Sequence, residues 1–128
     1  MDPRDVLADC TVEVAAARYA VITADHDVAD TFATIDDGRE TTHVISETRL
    51  DEVDPVTVER GWRLLTFDAV LPFDLVGFLA VVASALAERD VSVFALSAYS
   101  TDHVLVKQED LETALDALAE LGCAVRRL

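Results

Sequence analysis

Apolar residues along this chain switch from a helical rhythm to a strand rhythm most clearly between residues 71 and 107. Leu75, Phe78, Leu79, Val82 and Leu86 recur at helical spacing with alanines between them, which predicts an amphipathic helix over 75–89. Asp74 stands where an N-cap is expected, and Pro72 discourages an earlier start. Gly77 then falls in the first turn, where glycine costs about 1 kcal/mol relative to alanine, so something is expected to approach the backbone there, a ligand or a packed strand. A mostly apolar strand over 91–96 follows, with Asp90 at a corner that glycine would fill more easily. Tyr99, Ser100, Thr101 and Asp102 make a polar turn, and His103 opens a strand over 103–106. Gln108, Glu109 and Asp110 begin a second helix, with acids where the helix dipole favours them and Leu111, Ala114, Leu115, Leu118 and Leu121 on one face. Gly122 ends that helix, and 123–126 form a last strand.

A long strand over 58–70 precedes the first helix, with Leu65, Phe67 and Ala69 on one face and Trp62, Leu64 and Thr66 on the other. The second half is therefore α+β, a ferredoxin-like βαββαβ unit predicted to form a four-stranded antiparallel sheet with two helices on one face. Upstream the pattern is weaker. Residues 1–9 read as a polar, frayed start, 11–14 and 19–23 as two strands about a small-residue turn at 15–18, and 24–27 as a loop. The spacing of Val28, Phe32 and Ile35 predicts a short helix, followed by the Asp36-Asp37-Gly38 turn, a strand at 43–46 and a helical turn at 49–53. Asp54-Pro55 marks the boundary between a divergent βαββ-type unit, 1–57, and the βαββαβ unit, 58–128. No residue-level repeat relates the two halves.

Charge narrows the functional classes. The 128 residues carry 25 acids against 10 bases, a formal charge of -15. Nucleic acid and anionic membranes, which are bound through clustered Lys and Arg, are excluded as partners. The acids are dispersed over both halves, which suits a halophile's solvated surface better than a patch for one basic partner. No apolar run reaches the roughly 18 residues of a membrane span, and no export signal opens the chain, so a cytoplasmic location is expected. Cys10 and Cys123 show no metal or redox spacing and read as buried thiols. His26, His43 and His103 lack ligand spacing, and neither a nucleophile elbow nor a phosphate-binding loop occurs, so no metal, cofactor or catalytic reading is supported.

The segment FDLVGFLAVVASALAERDVSVFALSAYSTDHVLVKQEDLETALDAL resembles an ACT domain, most specifically those of small tandem-ACT proteins related to the amino-acid-sensing regions of aspartate kinases and arginine sensors. The resemblance extends over 62–125 and is weaker in the first half, and Asp90 departs from the glycine usual there. It implies non-catalytic, regulatory binding of an amino acid or similar small molecule between ACT units, and association as a homodimer. The positions it implies are Asp74, Val76, Gly77 and Phe78 at the helix start, and Ser100, Thr101, Asp102 and His103 at the turn. Physical chemistry fits that placement: N–H groups at a helix start receive a carboxylate, and an aspartate receives an ammonium. The alternative is a structural dimerisation module without a ligand, which needs the apolar faces but neither Gly77 nor the polar turn.

The charge yields a first prediction. Going from molar salt to tens of millimolar lengthens the Debye distance from about 3 Å to about 20–30 Å and exposes self-repulsion, so the melting temperature should fall. A melting temperature unchanged over that range contradicts the halophile reading.

Overall fold

A computed structural model describes all residues, Met1–Leu128. The elements in order are α1 (Pro3–Ala8), β1 (Thr11–Thr23), β2 (Ala33–Asp36), β3 (Thr41–Ser46), a 3-10 helix (Glu47–Glu52), β4 (Thr57–Asp68), α2 (Phe78–Ala87), β5 (Phe94–Ser97), β6 (Asp102–Lys107), a 3-10 turn (Gln108–Asp110), α3 (Leu111–Glu120) and β7 (Ala124–Arg127). They form two compact units, Met1–Ala16 with Arg63–Leu128, and Ala17–Trp62. Residues 1–16 thus pack with the second half, and β1 and β4 each contribute one stretch to either unit.

In the larger unit the strand order is β7-β1-β4-β6-β5. A βαββαβ unit closed on itself places its last strand beside its first. Here the start of β1 takes that place, and β7 pairs with it in parallel, Thr11 opposite Ala124 through Val14 opposite Arg127. The predicted antiparallel pairing of the last strand is corrected accordingly; β5 and β6 do pair antiparallel, Phe94 opposite Leu105. Apolar periodicity says which face of a strand is buried and nothing about which neighbour it takes. Arg126 of β7 spans this edge, reaching Glu13 of β1 at 2.6 Å and Asp68 of β4 at 2.9 Å.

One core fills this unit: Leu7 of α1, Val12 and Val14 of β1, Leu65 and Phe67 of β4, Phe78, Val82 and Leu86 of α2, Val104 and Val106 of β6, and the Leu111, Leu115 and Leu118 face of α3. Leu64 and Leu105, which alternate with those strand residues, are buried as well. The first residues are not frayed. Asp2 accepts the Arg4 N–H at 2.8 Å and Pro3 needs no helical partner, so six residues form a turn and a half that hides Leu7 completely. Gly122, at φ +100°, lies where a Cβ would come within 2.8 Å of the Ala8 Cα, and only glycine allows that approach. Cys10 and Cys123 are free, buried thiols, the second pushed up to about 11 by burial.

In the smaller unit the order is β2-β3-β1-β4, with Tyr19–Thr23 of β1 antiparallel to β3 and a core of Ala20, Ile22, Ile45, Leu50 and Val53. Two expectations are corrected. The expected turn at 15–18 is uninterrupted strand, because small residues without Gly, Pro or Asn supply nothing to reverse the chain. The expected helix at 28–35 is a bend leading into β2: Asp30 takes a left-handed φ of 54°, and Arg49 holds the carbonyls of Ala29 and Asp30 at 2.7 and 2.9 Å.

The two units share more than the sequence discloses. Thr41-Thr42-His43-Val44-Ile45 and Thr101-Asp102-His103-Val104-Leu105 occupy the returning strand of equivalent hairpins, each followed by 3-10 backbone. Val44 and Ile45, like Val104 and Leu105, are buried. A five-residue likeness between strands is too short to stand out until the hairpins are aligned.

Docking of α1 is tested by Leu7→Ala, which removes a fully buried side chain and should cost about 2–5 kcal/mol in urea unfolding at high salt. A loss under about 0.5 kcal/mol, the level of a surface substitution, would mean that the helix is not part of the core.

Candidate functional site

The helix α2 begins three residues later than the apolar pattern suggests. The Leu75 N–H bonds the Pro72 carbonyl at 3.0 Å, closing a turn that contains Asp74, and Gly77 follows with φ +90°. That left-handed backbone is cheap for glycine alone and stops the helix from extending upstream. Asp74 is exposed and is not the N-cap. Gly77 is the cap, and no side chain bonds the helix end. The glycine is explained first by its own φ; a Cβ there would meet only Pro3 Cγ, at 3.6 Å. The first intrahelical bond runs from the Val81 N–H to the Gly77 carbonyl, so the N–H groups of Phe78, Leu79 and Ala80 have no acceptor within the helix.

Beside that helix start lies the β5–β6 turn, and a cleft of about 360 Å³ opens between them. Three bonds shape its wall: Leu71 N–H to Ser100 C=O at 2.6 Å, Ala98 N–H to Thr101 C=O at 2.9 Å, and the Thr101 hydroxyl to Phe67 C=O at 2.6 Å. Phe67 and Phe78 meet edge to face at 5.2 Å beneath it. Of the residues singled out from sequence, Gly77, Phe78, Ser100, Thr101 and Asp102 line this cleft, whereas Asp74, Val76 and His103 do not. Val76 is 81% exposed. His103 sits half-buried on β6, its Nδ1 2.8 Å from the Thr66 hydroxyl.

Sequence reasoning missed the other wall, Leu71, Pro72, Phe73 and Leu75, together with Ser97 and Tyr99. The available signal was the pairing of Pro72 and Gly77: a proline and a left-handed glycine five residues apart hold an irregular segment over the helix end. Asp102 supplies the cleft's one charged side chain, and no Lys, Arg or His lines it.

The smaller unit has a cleft of about 450 Å³ in the equivalent place, above the β2–β3 hairpin, with Asp25, Asp27, Asp36 and Glu40 around His26 and His43. His43 is buried, with Nδ1 2.8 Å from the Thr34 hydroxyl and no partner at Nε2. No group of three or more His, Cys, Asp or Glu side chains is arranged to hold a metal ion, and no helix is long and apolar enough to cross a membrane.

The βαββαβ order of sheet and helices is that of an ACT domain. The ACT domain family model matches residues 57–120, half of the chain, and the chain belongs to that family. No curated protein matches. Among solved structures, a protein from Agrobacterium tumefaciens is similar at 23% identity over 93% of both chains, TM-score 0.80. A protein of unknown function from Vibrio cholerae, described as a possible transport protein, is 24% identical over 93% of this chain and 94% of its own, TM-score 0.75. The regulatory subunit of aspartate kinase from Thermus thermophilus, in a ligand-free form, is 10% identical over 86% and 95%, TM-score 0.64. At these identities the likeness is one of fold.

Burial lowers the pKa of His103 below its ordinary 6.5, and the neighbouring Asp102 carboxylate opposes the shift. An unfolded chain then takes up the proton before the folded one does, so the stability His103 contributes is complete above about pH 6.5 and lost as pH falls towards the folded-state value. NMR titration in high salt should give an imidazole midpoint below 6.5, and His103→Gln should reduce the drop in melting temperature between about pH 7 and about pH 5. A midpoint at or above 6.5 would contradict the assignment.

Proposed function

We propose that the protein is a non-catalytic regulatory module whose cleft beside α2 binds a free amino acid. One observation carries this reading: the uncapped start of α2 and the carboxylate of Asp102 line one cleft. The α-carboxylate is received by the N–H groups of the first turn and the α-ammonium by Asp102, while the Ser100 hydroxyl orients the main chain. Thr101 contributes as an acceptor, because its own donor is committed to Phe67. Gly77 and Phe78 form the floor, and Asp74, Val76 and His103, which do not line the cleft, are assigned no contact with the ligand.

The same proposal treats 1–57 and 58–128 as two ACT-type units by descent, the protein as a homodimer, and its setting as the reducing, salt-rich cytoplasm of a halophile. Two free thiols and the dispersed acids support the setting. A structural dimerisation module is the second reading, and the exposure of Val70 and Val76, 80% and 81%, favours it.

A thermal-stability screen against free amino acids in molar salt separates the two, since a ligand of the folded state stabilises by about 2.7 kcal/mol at a hundredfold excess over Kd. Asp102→Ala should then weaken binding by about tenfold to a hundredfold in calorimetry, the loss of a charge-assisted hydrogen bond of roughly 1.5–3 kcal/mol. If no amino acid binds at millimolar concentration, the structural module is the better reading.

A further inference from the structure

Resting on the amino-acid reading of this cleft, we propose that its ligand carries an uncharged, apolar side chain, which lies against Phe73 and Tyr99. The charge inventory excludes the other classes. An acidic side chain would bring a second carboxylate into a cleft lined by no cation, in a chain of formal charge -15. A basic side chain would need a second carboxylate, and Asp102, the one that lines the cleft, is engaged by the α-ammonium. An exposed ring face alone competes poorly with the hydration of an ammonium or guanidinium group. A polar, uncharged side chain finds few partners, because the Thr101 hydroxyl is committed to Phe67 C=O, the Ala98 N–H to Thr101 C=O and the Ser100 hydroxyl to the ligand's main chain, which leaves only the Ser97 and Tyr99 hydroxyls.

The apolar surface points the same way. Leu71, Leu75 and Leu79 line the cleft, and at its mouth Phe73 and Tyr99 stand edge to face, 4.8 Å between centroids at 79°. They are 77% and 81% exposed. Two adjacent, solvated rings on an acidic surface leave apolar area that a branched aliphatic or aromatic side chain covers, and such a chain asks for no polar partner. The volume of about 360 Å³ lies at the small end of ligand pockets, the size of one amino acid.

The test is calorimetry on the full chain in molar potassium chloride with leucine, methionine, phenylalanine, aspartate, glutamate, lysine and arginine, repeated on Phe73→Ala and Tyr99→Ala, whose exposed positions keep the fold. Leucine, methionine or phenylalanine should bind at least about tenfold more tightly than any of the four charged amino acids, and each substitution should weaken that binding about threefold to tenfold. A charged amino acid binding as tightly as the apolar ones, with Asp102→Ala still weakening it, overturns the side-chain inference and leaves the amino-acid site standing. Apolar binding that neither ring substitution weakens overturns the placement against Phe73 and Tyr99. Absence of binding by all seven overturns the inference together with the reading it rests on.

Discussion

The larger unit cannot complete its sheet from the second half of the chain. β7 takes β1 as its partner, so the last strand is held by residues that precede it by more than a hundred positions. Everything at this edge follows from that constraint. α1 must turn the chain into β1 directly over the end of α3, which brings Ala8 against Gly122 so closely that no side chain fits there. The Cys10 carbonyl then receives the Ala124 N–H at 3.0 Å, and the Leu128 N–H closes the ladder on Val14 at 2.9 Å. Surface ion pairs such as Arg126 with Glu13 are worth little by themselves, at most about 1 kcal/mol. Fully buried Leu7, Val12 and Val14 carry the energy, since hiding each aliphatic side chain contributes about 1.5–3 kcal/mol.

The cleft depends on a second backbone constraint, at Gly77. Had the helix begun at Leu75, as its apolar spacing allows, regular backbone would occupy 75–77, and the segment from Leu71 to Leu75 could not fold back as the wall facing Ser100. The left-handed glycine delays the helix, and the Pro72–Leu75 turn uses the released residues to form that wall. The same delay leaves the helix end without a side-chain cap. An uncapped helix end beside a cleft exchanges some helix stability, about 1 kcal/mol, for N–H groups that a ligand can reach.

What was legible in the sequence follows the strength of local signals. β4, both long helices, the β5–β6 hairpin and the end of α3 are written in apolar periodicity and in Gly122, and the polar turn that borders the cleft was visible in the same way. The start of the chain was not. Asp2-Pro3 is a helix-start signal, but six residues give too short a period, and only Leu7 is buried. The 28–35 segment misled because Val28, Phe32 and Ile35 have helical spacing, while the deciding contact comes from Arg49 in a distant element. Asp74 misled because an aspartate before an apolar series is a good cap, and only the φ of Gly77 shows that the helix begins beyond it. Phe73 and Tyr99 are 26 positions apart, and nothing local announces that they touch.

The acidity of the chain and the chemistry of the cleft are connected through screening. At about 1 M salt the Debye length is about 3 Å, so the carboxylates scattered over the surface scarcely act beyond their immediate neighbours. On the proposed reading, short-range groups then decide binding: the N–H groups of the first turn of α2, Asp102 and the two rings. At low salt the field of the whole surface reaches in and would repel any ligand with net negative charge. A zwitterion carries no net charge, so repulsion of its carboxylate is offset by attraction of its ammonium, and what remains is a preference in orientation. On the proposed reading that preference turns the ammonium towards Asp102, the one carboxylate lining the cleft, and leaves the carboxylate for the helix start. On the same reading, an amino acid without net charge is therefore the class whose binding a surface this acidic disturbs least.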